Sequence, residues 1–244
     1  MKEDILHNLA LIHERIKNAC EKSGRKTDEV QLLLATKTVS AERIKIALEH
    51  GQTLIAENKV QELKEKYEEL KGIPHENHFI GHLQTNKIKD ILKYEVSCIQ
   101  SLDRLELAEK LHQRLSAENK TMDVLIQVNT SSEESKFGVE PNKAIELIRK
   151  VSHYSTLKIK GLMTIGLFSA ETEKVRTCFK ILKNLQQDII RENIPNVSMK
   201  ELSMGMSGDL ETAIEEGATI VRVGTAVFGA RIYPDSYYWD ESKA

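Results

Sequence analysis

No run of apolar residues in this sequence is long enough to span a membrane. Basic charge is not in excess: 35 Lys and Arg stand against 37 Asp and Glu, a net charge of -2. That balance excludes the broad basic field that nucleic-acid binding uses. Cysteine is scarce, and Cys20, Cys98 and Cys178 lie too far apart for a metal-ligand spacing. No disulfide framework follows from them, which fits a reducing cytosol. The start, Met1-Lys2-Glu3-Asp4, lacks the charged-then-apolar pattern of a secretory signal. The Asn-x-Ser/Thr triplets at Asn119, Asn129 and Asn196 are then chance matches. Linker-like and low-complexity stretches are missing too, so residues 1–244 read as one domain.

What is present is an alternation of strand and helix. Apolar residues at Ile5, Leu9, Ile12 and Ile16 predict a helix over 4–23, with Gly24 as its stop. Val30–Ala35, apolar except for Gln31, is an almost unbroken apolar run of the kind buried parallel strands show. Helices are predicted from Ser40 to His50, Lys59 to Leu70, Thr85 to Leu92, Asp103 to Glu118, Pro141 to His153, Glu171 to Arg191 and Leu210 to Glu216. Strands are predicted at Thr53–Ala56, His78–Ile80, Val96–Ile99, Met122–Val128 and Leu157–Met163, then before Gly205 and before Gly224. Eight strands at this spacing predict a (β/α)8 barrel with an extra N-terminal helix. The competing architecture, an open doubly wound sheet, lacks its Gly-x-Gly-x-x-Gly after the first strand.

In such a barrel the residues after each strand converge on one face, where the chemistry sits. The last two strands break into Ser203-Met204-Gly205-Met206-Ser207-Gly208-Asp209 and Arg222-Val223-Gly224-Thr225. Two successive glycine-bearing turns, one opening a helix that Asp209 would cap, predict a phosphate cradle. Lys37 follows an apolar run, where burial would favour its neutral, nucleophilic amine. A lysine snorkelling at a strand end is the competing reading. Arg222, inside an apolar strand, either pairs with a buried carboxylate or faces a ligand. His75, His78 and His82 are close in sequence but bracket a strand and its turn, and no metal site is expected. The charges of 57–71 read as a solvated helix face.

The motifs Leu33-Leu34-Ala35-Thr36-Lys37-Thr38, Glu57-Asn58-Lys59-Val60-Gln61-Glu62 and His78-Phe79-Ile80-Gly81-His82-Leu83-Gln84-Thr85-Asn86-Lys87 occur in that order. Ser135-Lys136-Phe137-Gly138, Gly161-Leu162-Met163-Thr164 and the two terminal turns follow. In these the chain resembles the pyridoxal phosphate homeostasis proteins. The resemblance implies a barrel like the N-terminal domain of alanine racemase, with pyridoxal 5'-phosphate (PLP) held as a Schiff base on Lys37. It implies phosphate contacts from Ser203, Ser207, Gly224 and Thr225. Arg222 then faces the pyridine nitrogen, and Asn58 and Met163 line the pocket.

The resemblance also implies a role in vitamin B6 balance and no robust catalysis. PLP and PLP-dependent apo-enzymes are the partners expected, for a cytoplasmic monomer. A weak amino-acid racemase is the alternative, and a Schiff-base aldolase a more distant one. After Gly229 only 15 residues remain, so the further domain that covers a racemase site is not expected. Two positions depart from the family pattern: Ala56 and Ser132 stand where glycine is expected.

Overall fold

Leu32, Leu33 and Leu34 are all buried, as in a parallel strand lined on one side by the barrel interior and on the other by helices. They belong to β1 (Gln31–Ala35), the first of eight parallel strands closed into a ring in sequence order. The others are β2 (Leu54–Glu57), β3 (Glu76–Phe79), β4 (Val96–Leu102), β5 (Met122–Gln127), β6 (Leu157–Met163), β7 (Val197–Ser203) and β8 (Ile220–Val223). The computed structural model describes residues 2–133, 136–167 and 169–229. Around the ring run α2 (Ala41–Leu48), α3 (Val60–Leu70), α4 (Ile88–Lys93), α5 (Leu105–Ala117), α6 (Pro141–Val151), α7 (Thr172–Glu192) and α8 (Leu210–Glu215). A short α9 (Thr225–Phe228) follows β8. The expected (β/α)8 barrel is what the chain forms.

The extra helix is α1 (Lys2–Lys22). Its stripe of Ile5, Leu9, Ile12 and Ile16 is buried, and it packs beside α2, α8 and α9. Arg15 forks onto the Glu211 carboxylate of α8 at 2.6 and 2.8 Å. Inside the ring, Leu33, Leu54, Ala56 and Ile220 form one apolar layer, and Cys98, Leu125 and Met163 another. The helix-facing sides of the strands pack into a larger shell.

Pairing is uneven around the ring. β5 and β6 share six registered pairs, whereas β7 and β8 share one, Ser203 with Ile220. Past it, Met204 N–H reaches the Ile220 carbonyl at 3.1 Å and Arg222 N–H the Gly205 carbonyl at 3.0 Å.

Three expectations need adjusting. β4 runs three residues beyond Ile99, taking Gln100 and Ser101 into the strand. α5 starts at Leu105, and Asp103 lies before its cap, paired with Arg104 at 2.8 Å. Ser40 and Asp209 do stand at helix N-caps, but neither side chain bonds forward into its helix. The Asp209 carboxylate instead turns back to accept the Met206 N–H.

Candidate functional site

Lys37 lies two residues beyond β1 and is 8% exposed. Its neighbours on both sides are pinned. Thr36 Oγ1 donates to Glu57 Oε1 at 2.6 Å, and the Thr36 carbonyl accepts from Lys66 Nζ at 2.8 Å. Lys66 pairs with Glu57 at 2.8 Å and with Glu62 at 2.6 Å. Glu62 in turn accepts the Thr38 N–H at 3.1 Å, where the backbone takes φ 65°. The reading of 57–71 as a solvated face is therefore corrected at two residues. Glu57 and Lys66 point inward under α3 and are buried, because they tie the Lys37 turn to the neighbouring strand. Burial pushes the Glu57 carboxyl up to about 7, against the pull of Lys66.

Arg222 is buried within the barrel. One guanidinium nitrogen donates to Ser203 Oγ at 2.8 Å, the other to the Thr164 carbonyl at 2.8 Å. Both acceptors are neutral. Burial pulls its pKa down to about 10, and Asp209 opposes this through space. Ser203 Oγ donates onward to Gln100 Oε1 at 2.6 Å, and Gln100 Nε2 meets His78 Nδ1 at 2.8 Å. Burial pulls His78 down to about 4, so it is neutral at pH 7. The Ser203 hydroxyl, expected to contact the phosphate, is instead committed between Gln100 and Arg222, beneath the two turns.

The turns themselves sit side by side. Gly205 has φ 90°, a conformation that admits glycine readily. A Cβ on Gly224 would lie 2.8 Å from the Ala35 carbonyl, so only glycine lets the start of α9 approach β1 this closely. Ser207 is half-buried and Thr225 exposed beside Gly224. Helix starts carry unsatisfied N–H donors, which suit an anion. Asn58, 9% exposed, follows β2 on the same rim, and Met163 closes β6. The rim is continued by the segment after β5, where Phe137 stacks on His82 at 4.0 Å between ring centroids. Ser135 of that motif and the tail from Ala230 lie outside the described residues.

The structure gathers Lys37, Asn58, Met163, Arg222, Gly224 and Thr225 at the C-terminal ends of the strands, with Ser207 on the turn after β7. Sequence reasoning missed Gln100, and it missed that His78 joins a polar chain across the barrel. Ala56 does not need positive φ; it sits in β2 with its methyl in the inner layer. Ser132 does take positive φ, at 59°.

The family description "Alanine racemase, N-terminal domain" matches residues 7–232. A "Pyridoxal phosphate homeostasis protein" of Aquifex aeolicus is 46% identical over 225 residues, covering 92% of this chain and 97% of that protein. This chain belongs to the pyridoxal phosphate homeostasis family. Among solved structures, PipY of Synechococcus elongatus with PLP bound superposes with a TM-score of 0.77 at 29% identity. That match covers 89% of this chain and all of PipY. An alanine racemase of Clostridium difficile shares the fold, with a TM-score of 0.75 at 15% identity, and 58% of its chain is covered. The homeostasis family thus uses the racemase barrel architecture.

Proposed function

We propose that this chain binds PLP at the C-terminal mouth of its barrel, as a Schiff base on Lys37, and serves intracellular vitamin B6 balance. The observation that carries this reading is the placing of a buried lysine, a buried arginine bonded to neutral oxygens, and two adjacent glycine turns around one mouth. The naming of the relatives and the PLP bound to PipY support it.

The residues present fit the cofactor. Backbone amides around Gly205, Ser207, Gly224 and Thr225 would hold the phosphate through charge-assisted hydrogen bonds. Asn58 and Met163 would flank the ring. Arg222, which only donates, would hold the pyridine nitrogen unprotonated. Ser203 acts from behind, as a support for Arg222. When bound, PLP supplies a reactive aldehyde and a conjugated ring. The network through Thr36, Glu57, Lys66 and Glu62 fixes the turn that presents Lys37.

On this reading the protein is a cofactor carrier with PLP and PLP-dependent apo-enzymes as partners, acting as a cytoplasmic monomer. Among the described residues no helix is long and apolar enough to cross a membrane. A weak racemase is the second reading, favoured by the shared barrel. The purified protein is expected to show a visible PLP band, and borohydride followed by peptide mass analysis is expected to fix the cofactor on Lys37. A Lys37→Ala protein that keeps the band would overturn the assignment. Racemisation at the usual enzyme rates of about 1–1,000 per second would overturn the carrier reading, and slow but reproducible racemisation would favour the second.

A further inference from the structure

Arginine only donates hydrogen bonds, so its contact fixes the direction of everything beyond it. Arg222 donates to Ser203 Oγ, and the serine hydroxyl then donates its own proton to Gln100 Oε1. That orients the Gln100 amide, whose N–H₂ faces His78 Nδ1. His78 Nδ1 must then be the acceptor, and the ring proton sits on Nε2. The opposite polarity is poor. Turning the Gln100 amide would place its N–H₂ on Ser203 and strip the serine proton of its acceptor, within a buried site where an unmade bond is costly. His78, Gln100, Ser203 and Arg222 are all nine-tenths or more buried, so water does not compete. Gln100 is the hinge of this chain: it joins β3 to β7 and β8 across the barrel interior.

We propose that Gln100 is a positioning residue for the bound cofactor: it orients the Ser203 hydroxyl and, through it, one arm of the Arg222 guanidinium. The inference rests on the reading of the site as a PLP site. Thr164 holds the other guanidinium nitrogen by its main-chain carbonyl, so the side-chain control of Arg222 comes from Ser203 and Gln100. An arginine freed on that side samples further rotamers, and its hold on the cofactor ring weakens.

Gln100→Leu and Ser203→Ala are each expected to weaken PLP binding about tenfold, the effect at the cofactor of one misaligned buried hydrogen bond from Arg222. Both are expected to move the visible absorption band of the PLP-loaded protein while borohydride still fixes PLP on Lys37. Acting through one chain, the two changes are expected to be non-additive, the double variant binding no worse than either single one. Gln100→Leu with PLP affinity within twofold of wild type and an unmoved band would overturn the proposal, as would additive penalties. So would a lowered melting temperature with no spectral change. Should the variants fail to fold, nitrogen NMR of His78 in the wild-type protein decides the matter. The chain requires unprotonated Nδ1 and protonated Nε2, and the other tautomer would refute it. Wild-type protein that takes up no PLP sinks the proposed function, and the tautomer still decides the polarity of the chain.

Discussion

Thr36 and Thr38 hold Lys37 from either side, and their anchors are carboxylates on the next strand and helix. This arrangement carries a pH signature. Glu57 titrates near 4.5 in an unfolded chain and at about 7 when buried in the fold. Its folded pKa is raised, so the folded protein holds a proton that the unfolded chain releases. Stability from this group is present below about 4.5 and is lost as pH rises to about 7. Relative to Glu57→Gln, the wild-type protein is therefore expected to lose on the order of 2–3 kcal/mol across that window. Chemical denaturation at several pH values measures it, and parallel curves for the two proteins would remove Glu57 from the account. Lys37 and Arg222 were legible in the sequence because a charge at the end of, or inside, an apolar run stands out. Gln100 was not. A glutamine followed by a serine reads as a turn, and the partner that gives it meaning, Ser203, is 103 residues away.

The elements followed their periodicities closely, because helices with one apolar stripe and strands buried on both faces leave clear marks. Boundaries failed where polar residues belong to the barrel interior, as at the end of β4. Caps failed where the side chain served a turn: Asp209 supports Met206 in the cradle instead of its helix. The segment after β5 is built the same way. The Asn129 side-chain amide donates to the Glu133 carbonyl at 2.8 Å and the Lys136 carbonyl at 3.1 Å. Within it Ser132 is left-handed, at φ 59°. A non-glycine residue there costs roughly 1–2 kcal/mol, partly offset by the entropy glycine loses on folding. Ser132→Gly is thus expected to leave the melting transition unchanged or to stabilise by up to about 1 kcal/mol. Ser132→Val is expected to destabilise, since a β-branched residue resists that conformation. The opposite order in a thermal melt would show that Ser132 contributes a contact worth more than its strain.

At the scale of the whole molecule, the core and the site occupy different levels. Apart from Met163 at the mouth, the apolar layers inside the ring contain no residue assigned to the cofactor, and their burial needs no ligand, so folding does not wait on one. Lys37→Ala is expected to give a folded barrel by circular dichroism. Loading the wild-type protein at ~100-fold excess over Kd is expected to add about 3 kcal/mol, or roughly 5–10 °C in melting temperature. An unfolded Lys37→Ala protein would instead make PLP part of the core. The single registered pair between β7 and β8 has a mechanical meaning here. A ring of strands opens first at its weakest joint, and the turns proposed to grip the phosphate lie one on each side of that joint. The phosphate then acts as a clasp. In hydrogen–deuterium exchange, cofactor loading should slow the amides of Met204 and Arg222, which bridge the joint, far more than those between β5 and β6. Uniform slowing around the ring would mean that the clasp is not where the barrel opens.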